Sequence, residues 1–313
     1  MSIKELKAGQ PIETVFLLKK KETLKTKEGN PYFRLVFADK TGEIEGRMWD
    51  NVSGVEAAVD SGSAVVVSGT VTLWNNNKQI TVAALRIASD KEYKLADLIR
   101  AVENSDELFN KVKSFLNEIS DKWLSLLAKK FLEDADFISR FKKSPGASSW
   151  HNAYIGGLLE HTYEVMYISE RVCELYPQAD KDLVLIGAFV HDIGKVLELD
   201  PNTFQYTLDG GLIGHLTLGF DILSKKISEI KDFPKDLELK LKHIILSHHG
   251  EYEQQSPVLP KTLEATIVYQ SDELTSQANA VKELIEAQSG GEKEWSDYVR
   301  LKERKYLLKK QNK

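Results

Sequence analysis

The periodicity of the chain changes once, near Ser89, and that single change limits what it can fold into. Before it, apolar and β-branched residues come in short alternating runs between turn residues: IETVFLLKK, YFRLVFAD, IEGRMW, AVVVSGTVTLW and QITVAALRI. Alternation sends successive side chains to opposite faces of an extended chain, so these five runs are predicted strands. Tight turns such as DKTG and the Asn-rich tip of GTVTLWNNNKQITV join them, which points to a small antiparallel barrel or sandwich. After Ser89 the apolar residues recur at i, i+3 and i+4. Helices are predicted over 95–104, 106–118 and 121–132, then over 152–175, 180–193, 211–230, 235–248 and 260–288, with Asp or Ser at several starts. At 313 residues the chain is longer than one core of common size, and it divides into a β-rich domain (1–90), a helical linking region (91–149) and a second, all-helical domain (150–313). The closing WSDYVRLKERKYLLKK is expected to form a basic amphipathic helix packed on its own protein.

Composition is that of a water-soluble globular chain, with 42% hydrophobic and 28% charged residues. The longest apolar run, Leu183 to Val190, is too short to cross a bilayer, and MSIKELKAGQ has no apolar signal core. A cytoplasmic protein without a membrane partner is expected. The single cysteine, Cys173, lies on a helical pattern and reads as a small buried hydrophobe. Net charge is -5, which excludes gross attraction to nucleic acid. Residues 1–90 nevertheless carry 12 Lys+Arg against 11 Asp+Glu, so a local basic patch on the first domain remains open to a polyanion.

All seven histidines fall between residues 151 and 249. They are His151, His161, His191 (followed by Asp192), His215, His243 and the pair His248 and His249; all but His151 sit within or at the end of a predicted helix. One buried histidine is ordinarily a satisfied core residue. Six near helix ends, with carboxylates beside them, form a donor set suited to divalent cations such as manganese, iron or zinc. An Asp next to a His can offer one oxygen to each of two ions. Such a pair of ions can activate water and clamp both oxygens of an in-line phosphoryl displacement. Lys195, just beyond HDIG, can face the same cavity and neutralise a phosphate oxygen, and Gly194 reads as a close backbone approach at a helix end.

LLEHT, HDIGK thirty residues on, and YQSDEL further on resemble the H…HD…D signature of the HD-domain metal-dependent phosphohydrolases. HNAYIGGLLEHT, GAFVHDIGK, GLIGHLTLG, ILSHHGEYE and SPVLPKTLEA are similar, over nearly the whole chain, to the YhaM-type 3′→5′ exoribonucleases, which join an N-terminal OB-fold to an HD domain. Ser271 stands where that family would have alanine. The resemblance implies a five-stranded OB-type β-barrel followed by an all-α HD domain. It implies a first metal held by His161, His191, Asp192 and Asp272, and a second completed by Asp192, His215, His248 and His249. Manganese is the ion it implies; the donor types also admit iron, zinc, cobalt or magnesium. His243 is expected to be structural. His151 lies outside the minimal metal signature and is read either as a substrate-phosphate contact or proton donor, or as structural.

The first domain carries KKKETLKTK with Lys19, Lys20, Lys21, Lys25 and Lys27, and Tyr32, Phe33, Trp49 and Trp74 lie on or near its strands. OB-folds hold single strands with a basic groove and with aromatics on which bases stack. The whole reads as a metal-dependent 3′→5′ exoribonuclease acting on single-stranded RNA, with single-stranded DNA as a second substrate and 5′-mononucleotides as products. Asp192, Lys195 and His151 are the candidate catalytic residues. Homo-oligomers are compatible with this reading. Two alternatives stay open on sequence alone: a phosphodiesterase or nucleotidase of small nucleotides with a regulatory OB domain, and a non-catalytic single-strand-binding protein.

Overall fold

A computed structural model describes residues 1–50, 52, 59–75, 77–148, 152–288, 294–299 and 302–308. The chain splits into two units, Met1–Glu103 with Pro201–Gln205, and Asn104–Asp200 with Tyr206–Lys313.

The first unit is a closed five-stranded barrel with strand order β1-β2-β3-β5-β4. The strands are β1 (Pro11–Lys25), β2 (Pro31–Asp39), β3 (Gly42–Met48), β4 (Ala64–Trp74) and β5 (Asn77–Ile87). Neighbours pair antiparallel except β3 with β5, whose short parallel ladder, Glu45 opposite Gln79 to Arg47 opposite Thr81, closes the barrel. The long β1 pairs with β4 through its first half and with β2 through its second, and its register to β2 shifts between Leu18 and Lys20. Such an irregularity bends a strand, which lets one strand serve two sides of a barrel. Alternate residues fill the interior: Phe16 and Leu18 of β1, Phe33, Leu35 and Phe37 of β2, Val65 and Val67 of β4 and Ile80 of β5 are all buried. The segment Pro201–Gln205 clusters with this unit, where Lys19 Nζ lies 4.9 Å from the centroid of the buried Phe204 ring. A short helix, α1 (Leu95–Leu98), is all that forms of the helix predicted over 95–104.

The second unit is helical: α2 (Ser105–Asn117), α3 (Lys122–Leu132), α4 (Ala135–Phe141), α5 (Gly157–Leu175), α6 (Lys181–Val190), α7 (Lys195–Glu198), α8 (Leu208–Ile213), α9 (His215–Ser228), α10 (Lys235–Ser247) and α11 (Leu263–Gln288). Its centre is α6. Asp180 caps that helix by accepting from the Leu183 N–H at 3.0 Å, and every residue from Leu183 to Val190 is buried. A helix apolar all round has to be surrounded. Helices α5 and α11 pack on it, and the rings of Phe131, Phe137 and Phe141 stand 5.4, 6.4 and 5.6 Å from that of Phe189. Helices α2 to α4 therefore belong to this core rather than standing apart between the units. Asp182 of α6 reinforces the join by accepting from the N–H and hydroxyl of Ser120 and from the N–H of Asp121 at 2.7–2.9 Å.

Two elements differ from the sequence expectation. The helix predicted over 211–230 is two helices, broken at Gly214, whose φ of 79° lies in the region that favours glycine. The expected C-terminal helix is absent among the described residues: Trp295 bridges Leu307 and Val299 bridges Arg304, antiparallel, with Glu303 at φ 50° in the turn. Aromatic and β-branched residues on both arms suit such a pairing better than the amphipathic pattern suggested. No helix among the described residues is long and apolar enough to cross a membrane.

Candidate functional site

Helix α6 ends by delivering His191 and Asp192 into the interior, where both are buried. The chain then turns through Ile193 and Gly194 into α7. A Cβ on Gly194 would lie 1.9 Å from the His215 carbonyl oxygen, so only glycine lets the start of α9 come this close to HDIG. The other donors arrive on separate elements: His161 on α5, His215 at the first position of α9, His248 and His249 at the end of α10, and Asp272 on α11.

Asp192 stands between two groups of rings. Its Oδ2 is 3.6 Å from His161 Nε2 and 3.5 Å from His191 Nε2, and its Oδ1 is 3.5 Å from His215 Nε2 and 3.4 Å from His248 Nε2. Asp272 Oδ1 is 3.1 Å from His161 Nε2. The far nitrogens decide what these rings offer. Carbonyl oxygens can only accept, so Nδ1 of His191, His248 and His249 donates to Ala188, Ile245 and Gln254 at 2.6, 2.8 and 2.9 Å. Nδ1 of His215 donates to Glu198 Oε1 at 2.9 Å, and the same oxygen accepts the His215 N–H. Each of these four neutral rings is thereby left with a lone pair on Nε2. Two of the lone pairs, on His215 and His249, face each other across 3.2 Å.

The titration of the groups agrees. Burial, with the neighbouring His248 and His215, pushes His249 down to about 3, and burial lowers His248. Burial alone would raise Asp192 and Asp272, but Lys195 and the imidazoles around Asp192, and His161 beside Asp272, hold both carboxyls well below the usual range. The centre is thus a buried set of carboxylates and imidazole lone pairs. It carries an orphan: Asp192 Oδ1 is buried without a hydrogen-bond partner. Donors bound to one ion at roughly 2.1 Å lie about 3.0–3.5 Å apart, close to the spacings found here. His161, His191 and Asp192 form one group able to hold a metal, and His215, His248 and His249 a second. These residues fit divalent cations by type, spacing and the orphaned oxygen.

Lys195 lines the cleft beside the centre, with Nζ 2.7 Å from Asp192 Oδ2. His243 stands outside the centre: its Nε2 accepts the Lys261 N–H at 2.9 Å. His151 falls outside the described residues. Glu198, which fixes His215, was not singled out in the sequence, where a glutamate in KVLELD has no feature to mark it.

The candidate strand-binding residues of the barrel divide. Trp49 and Trp74 are 44% and 57% exposed, and Tyr32 stacks on Trp49 with centroids 4.5 Å apart. The guanidinium of Arg47 lies 6.0 Å from the Trp49 ring and 5.8 Å from the Trp74 ring, joining them into one cationic aromatic face. Arg47 was missed in the sequence because its position between two tryptophans depends on the β3–β5 pairing. Phe33 is a correction. Its ring is fully buried in the barrel core and cannot stack on a base. The lysines are spread along β1 and its turn: Lys19 pairs with Glu43 at 2.7 Å, Lys20 pairs with Glu22 at 2.7 Å, Lys21 donates to the Val59 carbonyl, and Lys25 and Lys27 are exposed.

Fold and site together define an OB-fold barrel followed by a helical HD domain. Residues 158–277 match the HD domain family, a span that contains all seven donors discussed above, and residues 17–88 match a family described as an OB-fold nucleic acid binding domain. The HD match indicates a metal-dependent phosphohydrolase. Similar solved structures include the second OB-fold domain of replication protein A from Methanococcus maripaludis, at 23% identity over 29% of this chain and 95% of that one with a TM-score of 0.24. A replication protein A heterotrimer bound to ssDNA is 22% identical over 27% of this chain and 62% of that one, with a TM-score of 0.22. Asparaginyl-tRNA synthetase from Pyrococcus horikoshii is 12% identical over 77% of this chain and 61% of that one, with a TM-score of 0.24. Likenesses at these scores carry no weight for function.

Proposed function

We propose that this protein is a metal-dependent 3′→5′ exoribonuclease of the YhaM type, cytoplasmic, acting on single-stranded RNA and secondarily on single-stranded DNA. The observation that carries its hydrolytic part is the pair of lone pairs on His215 and His249, 3.2 Å apart, beside the orphaned Oδ1 of Asp192. Such a grouping is unfavourable without a cation. His161, His191, Asp192 and Asp272 would hold one ion, and Asp192, His215, His248 and His249 a second, with manganese the preferred metal. Bound there, the ions would lower the pKa of water and stabilise the leaving oxygen. Glu198 keeps His215 in the tautomer that offers Nε2. Lys195, on the cleft wall, neutralises a non-bridging phosphate oxygen as charge develops. The face of Tyr32, Trp49, Arg47 and Trp74 on the OB-fold supports a single strand as the substrate, and the polarity follows from the resemblance in the HD motifs.

The test is hydrolysis of 5′-labelled and 3′-labelled RNA, and of the matching DNA, with and without manganese, beside a panel of small nucleotides. A 5′-labelled strand shortening one nucleotide at a time, with the 3′ label released at once as a mononucleotide, is expected. Internal cuts, or turnover of small nucleotides alone, would overturn the assignment.

A further inference from the structure

The cleft beside the histidine centre has two ends of different chemistry. Its volume is about 710 Å³, and one end is lined by Lys195, His215 and His249. The other is lined by Tyr206 with Leu212 and Ile213 of α8, all three exposed although apolar, Tyr206 by 59%. A cavity of this size accepts a ligand of nucleotide scale. A ligand matched to both ends has a charged group for the first and a flat apolar group for the second. A nucleotide has both, one bond system apart.

Resting on the exonuclease reading above, we infer that Tyr206 is the platform on which the base of the 3′-terminal nucleotide stacks while its 5′-phosphate lies at the histidine centre. The local structure fixes this platform in advance. Tyr206 bridges Leu199 in antiparallel fashion, the Thr207 N–H donates to the Glu198 carbonyl at 2.9 Å, and the Thr207 hydroxyl donates to the Leu197 carbonyl at 2.7 Å. Glu198 is also the residue whose carboxylate holds His215 by its backbone N–H and by Nδ1, both at 2.9 Å. One short segment, Leu197–Leu199, therefore sets both the ring and a donor of the centre. Thr207 adds stiffness by accepting from the Gly210 N–H at 2.9 Å, which caps α8. A tyrosine face flanked by leucine and isoleucine offers stacking without reading base edges, so it takes any of the four bases.

The experiment compares the full-length protein with Tyr206→Ala and Tyr206→Phe, each loaded with manganese. The substrates are an RNA oligonucleotide and the same oligonucleotide ending in an abasic 3′ ribose. Tyr206→Ala is expected to lower kcat/KM on the ordinary strand about tenfold, the size of one lost stacking contact, and to leave the abasic-ended strand unchanged. Tyr206→Phe is expected to restore the ordinary strand. Equal loss on both strands, or no loss on either, overturns the platform while hydrolysis by the unaltered protein still upholds the nuclease reading. If the unaltered protein degrades neither strand, that reading falls and this inference with it.

Discussion

The histidine centre and the aromatic face of the barrel solve opposite problems. In the centre, His191, Asp192 and His248 are withdrawn from water, and each ring is oriented by an acceptor on its far nitrogen. On the barrel, Trp49 and Trp74 remain exposed, and Arg47 is shared between them. Buried polar groups cost energy unless something compensates them, so the centre makes sense only with a cation. Exposed rings cost little and wait for a partner. The difference teaches where each function is vulnerable: the centre to loss of a single atom, the face only to loss of area.

Asp192→Ala cuts deepest across that divide. It should lower metal-dependent hydrolysis by roughly 10³-fold or more while leaving strand affinity nearly unchanged, as measured by gel assay and fluorescence anisotropy. Retained turnover would show that the two regions are not divided in this way. Glu198→Gln asks whether ring orientation matters: it should weaken metal binding about 10–100-fold by isothermal titration, with the fold intact by circular dichroism. Trp74→Ala is the reverse case. It should raise KM for a single strand about tenfold at unchanged kcat, and a change confined to kcat would remove the face from strand binding. His243→Gln gives the smallest effect. Burial, then the Lys261 cation, depresses the folded His243, so the unfolded chain binds more protons. The stability it contributes is full above its unfolded value of about 6.5 and is lost as pH falls below that. Solvent reaches this residue, so the variant should flatten the fall in melting temperature from pH 7.5 to 5.5 by no more than about 2–4 °C.

Much of the centre was legible because metal donors are limited to a few residue types, and their clustering survives in one dimension. His161, His191, Asp192, His215, His248, His249 and Asp272 are brought together by five elements. The barrel face was legible only in part. Neighbouring residues on a strand point to opposite sides, so Tyr32 and Phe33 could not both face a ligand, and the burial of Leu35 and Phe37 puts Phe33 inside. Arg47 and Glu198 were hidden for the same reason as each other: their partners lie on elements whose pairing or approach is set by tertiary structure. The break at Gly214 matters as well. A continuous helix over 211–230 would have placed His215 mid-helix instead of at an N-terminus, where its N–H is free to reach Glu198.

The buried central helix has one more consequence. Each residue of an α-helix advances the chain by about 100° around its axis, so α6 works as an indexing shaft between its fixed start at Asp180 and the pair it presents at its end. Substitutions along Leu183–Val190 trade volume, and a core can absorb some of that by repacking. Inserting or deleting one residue there keeps the volume nearly constant but turns His191 and Asp192 away from the other five donors. In this helix, count is held more tightly than composition.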